Sequence, residues 1–334
     1  MSHSAQTERI EGMTDASGGL GPVVAVDIGA TTTRVALVHV AGPAAEVRAR
    51  ERFPTEAARG FEDFAGRLDA LVRSVAAGAS PVAVGVCTAG PVDPATGEYR
   101  FPPNLPGWHG RSLRPGLEAS LGLPVAVGHD ATVAALAETR FGHRRGARDL
   151  VYLTVSTGIG AGIVSGGRAV TGHAGGAGEA GHLIVNPGGA ACGAGCPGCL
   201  EGAASGAALA AEAARRIEAG DRTALVRGAR AEDVVRAAEQ GDPLADAIMR
   251  EAIGHLGAGI ASLLALLDPE AVIVGGGVAR GLEPRWAEVL EAVEARALPR
   301  YRGGAPVEPT TLGDDASLLG AAVIALEAAR GAHA

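Results

Sequence analysis

Two stretches of this chain set the limits on its fold: "VVAVDIGATTTRVALVHV", from Val23, and "DLVYLTVSTGIGAGIVSGG", from Asp149. Each reads as an apolar strand, a tip of glycines and hydroxyl residues, and a second apolar strand. In the first, Val23–Val26 is a buried strand, residues 27–33 form a turn, and Val35–Val40 is the returning strand. Each hairpin opens a run of alternating strand and helix. A helix near 60–77 leads to the strand in "PVAVGVCTAGPVD". Next come the strand in "LPVAVG", a short loop at His129 and Asp130, and a helix over "ATVAALAETRFG". After the second hairpin, residues 202–268 read as mostly helical with a break at "EQGDP". A strand, the loop Gly275-Gly276-Gly277, a helix, and a closing helix from Ser317 to about Arg330 complete the chain.

Such alternation predicts an α/β layered fold, and its restart predicts an internal duplication. A chain of 334 residues is long enough for about two domains. The expected organisation is a flexible polar tail over 1–21, a smaller α/β domain over 22–130 completed by the helix 317–331, and a larger α/β domain over 131–316.

Composition removes several function classes. The chain contains no lysine, which excludes a Walker-type phosphate loop and any Schiff-base chemistry. A net charge of −8 argues against an electrostatic grip on nucleic acid. The N-terminal residues lack an apolar segment of the signal-peptide kind. Gly and Arg interrupt the apolar runs, so no membrane span is expected. Four cysteines, three of them within eight residues, do not resemble a disulfide framework. The expectation is a cytoplasmic protein with neither nucleic acid nor membrane as partner.

The tips carry the candidate chemistry. In "DIGATTTR", backbone N–H groups and hydroxyls suit phosphate oxygens, and Asp27 suits Mg²⁺ held through water; a plain hairpin turn is the alternative. In "STGIGAGIV", glycines at 158, 160 and 162 let a backbone approach a ligand closely. "IVGGGVA" joins a strand to a helix and suits an adenine face or a phosphate. None of these loops is the G-x-G-x-x-G of a dinucleotide fold. Asp130, between strand and helix, fits either an active-site carboxylate or a helix N-cap. His129 beside it is a turn residue or a ligand contact, and Cys87 a small buried residue. His182, Cys192, Cys196 and Cys199 make a complete tetrahedral set for a structural zinc; a redox pair at Cys196 and Cys199 is the rival.

In this order and spacing the segments resemble the ROK family of sugar kinases, within the actin-like and hexokinase-like ATPases, from about Val23 to about Arg330. "DIGATTTR" and "LTVSTGIGAGIV" match its two phosphate motifs, "TAGPVDPATGEYRFPPNLPGW" its sugar-side loop, and "EAGHL" with "CGAGCPGCLEGAASG" its signature stretch. "LDPEAVIVGGGVA" matches the nucleotide side and "LGDDASLLGAA" the closing helix. The resemblance implies a two-domain, ribonuclease H-like fold whose interdomain cleft takes ATP, Mg²⁺ and an aldohexose. It implies Asp130 as the base for the sugar 6-hydroxyl, with Glu179, His182, Glu201 and Asn104 on the sugar. Asp27, Gly29, Thr31, Thr157 and Gly158 fall on the phosphate side, and Gly275 and Gly276 on the nucleotide side. A homodimer or homotetramer is implied as well. Only a polar tail precedes Val23, which disfavours the family's DNA-binding regulators.

Two departures stand out. The family's asparagine before the base is His129 here, in a position that contacts a sugar hydroxyl. One cysteine of the family pattern falls on Ala194, and Cys196, two residues on, is expected to replace it as a zinc ligand. Glucose ranks first as acceptor, with N-acetylglucosamine or N-acetylmannosamine as the alternative.

Overall fold

Val23 to Val26 are completely buried, which explains why four apolar residues follow one another without alternation. They open β1 (Val23–Ile28), the middle strand of a sheet flanked on both edges. The computed structural model describes residues 21–102 and 104–332, and most of the expected polar tail lies outside them. β2 (Thr32–Ala41) returns antiparallel to β1, and β3 (Ala44–Pro54) continues the meander. Helix α1 (Phe61–Ala76) turns Phe64, Leu68, Val72 and Val75 inward at helical spacing. Parallel strands β4 (Val84–Thr88) and β5 (Val125–His129) follow, separated by α2 (Arg114–Leu121), and α3 (Asp130–Phe141) leaves directly from β5. The sheet order is β3-β2-β1-β4-β5.

The second sheet starts with the antiparallel β6 (Leu150–Val155) and β7 (Ile159–Ser165), with β8 (Arg168–Ala169) at its edge. Four helices come next: α4 (Leu200–Ala204), α5 (Gly206–Glu218), α6 (Ala231–Glu239) and α7 (Pro243–Leu267). Strand β9 (Ala271–Gly275) lies parallel to β6, then come α8 (Gly277–Gly281), α9 (Trp286–Glu294) and β10 (Val307–Pro309). The order β10-β9-β6-β7-β8 repeats that of the first sheet, with the same strand directions. The duplication expected from the two hairpins is therefore present in topology.

The chain divides into two units. Among the described residues, one unit runs to Gly146 and includes 171–177 and the C-terminal stretch from Asp314; the other comprises 147–170 and 178–313. The break expected after residue 130 thus lies after Gly146, because α3 packs along the closing helix α10 (Ala316–Gly331) and belongs with it. The short segment 171–177 also joins the first unit: a Cβ at Gly175 would lie 2.5 Å from the Val92 carbonyl.

Other local expectations shift as well. Asp27 belongs to β1 rather than to a turn, and His129 and Asp130 are the last strand residue and the first helical one, with no loop between. The break at "EQGDP" is the α6–α7 junction, where the Asp242 carboxylate caps the N–H groups of Leu244 and Ala245. Helix α7, with 25 residues and a mean hydropathy of 1.2, is long and apolar enough to cross a membrane, contrary to the expectation from sequence. Half of that stretch is buried, and α7 packs against α4, α6 and α9 as the core helix of its unit.

α10 crosses β1, β4 and β5, and Gly85 of β4 is where it comes closest: a Cβ there would overlap the Ala321 carbonyl oxygen. Gly85→Ala should destabilise the protein by about 1–3 kcal/mol through overpacking. Gly66→Ala, at an exposed α1 position with open space around it, should stabilise by about 0.5–1 kcal/mol. Chemical denaturation of both variants checks the contrast.

Candidate active site

Register brings the strand ends of the first unit together. Asp27 of β1 pairs with Cys87 of β4, which pairs with Gly128 of β5; the next row is Ile28, Thr88 and His129. Asp130 follows at the first position of α3, where the exposed N–H end of a helix favours a negative charge. Its Oδ1 accepts from the Ala131 N–H at 2.6 Å, and His129 Nε2 lies 3.2 Å from the same oxygen.

Asp27 is paired across the hairpin with Arg34, a residue sequence reasoning missed. Both Arg34 Nε (2.9 Å) and Nη2 (2.6 Å) donate to Asp27 Oδ2, and the Cys87 thiol also contacts this carboxylate. Burial dominates the Asp27 carboxyl and raises it from its ordinary value; Arg34 opposes that shift, and the Asp130 charge adds to it. The neighbouring Cys87 thiol is pushed well up, first by burial and then by Asp27 and Asp130. For Arg34, burial works against its charge, but the Asp27 carboxylate outweighs it and the guanidinium is raised.

The tip that follows is fixed by Thr55, also missed. Its N–H donates to the Thr31 carbonyl (2.9 Å), its hydroxyl donates to the Gly29 carbonyl (2.7 Å), and its Oγ1 lies 2.9 Å from Thr33 Oγ1. Gly29 N–H donates to the Thr32 carbonyl, and Thr31 is exposed. Asn104 is exposed as well, next to a loop anchor in which Leu105 and Trp108 are fully buried and Trp108 packs on Phe61, Phe64 and Tyr99.

In the second unit the β6–β7 tip holds Thr157, exposed, and Gly158. The Gly206 and Ala207 N–H groups of α5 donate to the Ser156 and Thr157 carbonyls. The Glu201 carboxylate accepts from the Ile159 N–H at 2.9 Å, and a Cβ at Gly158 would lie only 2.6 Å from Glu201 Oε2. Sequence reasoning put Glu201 with the sugar residues; its carboxylate stands against the β6–β7 tip, and its Cβ lies beside the 180–182 turn, where it faces Gly181. Gly275 closes β9, and Gly276 has φ 104°, a conformation glycine alone adopts easily, with its backbone set on that of Val155. The triple-glycine loop and the β6–β7 tip are thus adjacent.

The cysteine loop doubles back on itself. Leu200 N–H donates to the Leu183 carbonyl, and the Val185 and Asn186 N–H groups donate to the Gly198 carbonyl. Among the described residues, His182, Cys192 and Cys199 place one ring nitrogen and two sulfurs within 4.8 Å of one another. His182 Nδ1 faces Cys192 Sγ at 3.8 Å, while Nε2 faces Glu179 Oε2 at 3.7 Å. Cys196 lies outside this set of three, with its thiol on that of Cys192 and its carbonyl accepting from the Cys192 N–H at 3.1 Å. Burial first, then Cys192, pushes the Cys196 and Cys199 thiols up. An imidazole and thiols in this arrangement fit the donor set of a zinc ion, whose charge would favour the thiolates.

The Asp27–Arg34 pair makes a testable demand. Because the Asp27 carboxyl is raised, folding takes up a proton between its ordinary and raised values, so its contribution to stability is lost as pH rises through that window. Arg34→Met should cost about 2–4 kcal/mol at pH 8 and less at pH 5, where Asp27 becomes protonated more readily. Urea denaturation giving equal losses at the two pH values would contradict the ion-pair account.

Comparison with known proteins agrees with this architecture. Residues 23–328 match the ROK family. The chain is 34% identical to a glucokinase from Thermotoga maritima, over 91% of this chain and 97% of that one. It is also 34% identical to an N-acetylmannosamine kinase from Shigella flexneri, over 91% and 98%. Among solved structures, a ROK family glucokinase from Streptomyces griseus, in complex with glucose and AMPPNP, superposes with a TM-score of 0.80 at 35% identity, covering 92% of this chain and all of that one. The actin-like ATPase architecture and the family assignment read from the motifs both hold, and the chain belongs to the ROK family.

Proposed function

We propose that this chain transfers the γ-phosphoryl group of ATP to the 6-hydroxyl of an aldohexose, with glucose the first candidate. The observation that carries the reading is Asp130, a partly exposed carboxylate at a helix N-terminus, with one oxygen held and one available. In the reaction Asp130 accepts the hydroxyl proton as the sugar oxygen bonds to the γ-phosphorus and the bond to the β–γ bridging oxygen breaks, releasing ADP. Phosphoryl transfer asks mainly for positioning and charge neutralisation, which suits a site without lysine.

In this reading Glu179, His182, Glu201 and Asn104 hold the sugar hydroxyls. Gly29, Thr31, Thr157 and Gly158 bind the phosphates, and Gly275 and Gly276 the nucleotide. Asp27, whose Oδ2 takes both Arg34 contacts, suits Mg²⁺ through water; the ion when bound would neutralise charge on the phosphates. His182, Cys192 and Cys199, with Cys196 as the fourth donor, hold a structural zinc. The zinc performs no step and fixes the loop that carries Glu179 and Glu201. Assembly as a homodimer or homotetramer in the cytoplasm completes the proposal.

N-acetylmannosamine or N-acetylglucosamine is the second reading, supported by the equal identity to glucokinase and N-acetylmannosamine kinase relatives. A coupled ADP-release assay across glucose, mannose, N-acetylglucosamine and N-acetylmannosamine decides between them, and no turnover with any of the four would reject the kinase reading. Asp130→Asn should lower kcat on the best sugar by at least about a hundredfold.

Elemental analysis should find about one zinc per chain, and less than roughly half an equivalent would remove the structural-zinc assignment. Cys192→Ser should lose most of the metal without requiring any activity measurement.

A further inference from the structure

The corner between β5 and α3 contains a contact that a role in sugar binding does not use. His129 is the last residue of β5 and keeps an extended backbone (φ −67°, ψ 140°), and Asp130 begins the helix. Adjacent side chains at such a corner usually diverge, yet His129 Nε2 comes within 3.2 Å of Asp130 Oδ1. The Ala131 N–H donates to that same oxygen. Both contacts therefore fall on Oδ1.

A carboxylate oxygen at this distance repels an unprotonated ring nitrogen, so it selects the tautomer with the proton on Nε2. Contacts of this kind are often loose in a site without its substrate and tighten when the reacting group is present. Among the described residues, His129 is the basic group found beside the Asp130 carboxylate, with Nε2 3.2 Å away. Arg34 is committed to Asp27, while Asp27 and Cys87, on the neighbouring strands, offer Asp130 no cation. The His129 side chain is 18% exposed and that of Asp130 37%, so the ring is the more confined of the two and the carboxylate the more open.

We infer that His129 is a positioning residue acting through Asp130: its Nε2–H holds Oδ1, stops the carboxylate from rotating, and leaves Oδ2 facing the acceptor hydroxyl. This deepens the proposed function and rests on Asp130 as the base. It also moves His129 out of the group of sugar contacts to which sequence reasoning assigned it.

Steady-state kinetics of the full chain with ATP and glucose, or whichever hexose of the four proves best, test the inference on four variants. His129→Ala and His129→Phe should lower kcat by about ten- to a hundredfold while the sugar KM changes by less than about threefold, as expected when a reacting group is misplaced and sugar affinity is unchanged. His129→Gln, whose amide nitrogen reaches close to the place of Nε2, should recover kcat to within about fivefold of the parent. Thermal midpoints within about 3 °C of the parent would separate this from a folding defect. A KM raised tenfold or more with kcat kept, or a glutamine variant no better than phenylalanine, would overturn the positioning role. The fourth variant, Asp130→Asn, isolates the underlying assignment: if it retains full turnover, the base reading itself fails, whatever the His129 variants do.

Discussion

β1 is hydrogen-bonded along both edges, antiparallel to β2 and parallel to β4, and it is buried over most of its length. β6 occupies the same place in the second sheet, between β7 and β9. A strand so enclosed tolerates a polar side chain only near its end, because a charge in its middle would lack both water and a partner. The end is also where the two edges part, since the antiparallel neighbour continues from a tight tip while the parallel neighbour ends in register. Asp27, the β1–β2 tip and the ends of β4 and β5 therefore converge in the first unit. The same rule in the second unit brings the β6–β7 tip beside Gly275 and Gly276. The candidate site residues gather at these positions because the enclosed strands disfavour polar side chains along their middles.

That constraint also explains what could be read from the amino-acid order and what could not. The two hairpins were legible because uninterrupted apolar runs bracketing a small-residue tip have few other solutions. The repeat in strand order followed from them. β3 was not legible: it is an edge strand, and Glu46, Arg48, Arg50, Glu51 and Arg52 give it the appearance of a solvated loop. With β3 unseen, Thr55 at its end had no reason to be noticed, although it ties down the first tip through Gly29, Thr31 and Thr33. Arg34 was hidden by one choice of boundary. Ending the strand at Val26 put Asp27 in a turn, whereas carrying the ladder to Ile28 opposite Thr33 sets Arg34 opposite Asp27.

The cysteine loop was legible in composition and less so in geometry. Ligand type and spacing pointed to His182 with three cysteines, and three of the four donors do gather. Which thiol stands close depends on the path of the loop, here a turn closed by the Cys192 N–H on the Cys196 carbonyl, and no spacing rule encodes that. Glu201 illustrates the same limit. As a residue of α4 it follows Cys199 by two positions, yet its carboxylate is held by the N–H of Ile159 from another element.

The two carboxylates of the first unit have different partners, and the difference follows from their surroundings. Asp27 has 14% of its side chain exposed, and burial works against its charged form. Keeping it available as an anion takes a partner that is charged at every working pH, and arginine is the side chain that meets this condition. Asp130 is more open, sits at a helix N-terminus and already accepts a backbone N–H, so its charge needs less support. The imidazole of His129, 3.2 Å from one of its oxygens, can orient the carboxylate by donating a single N–H. Arginine opposite the buried aspartate and histidine beside the more open one thus match each partner to the surroundings of the carboxylate it serves.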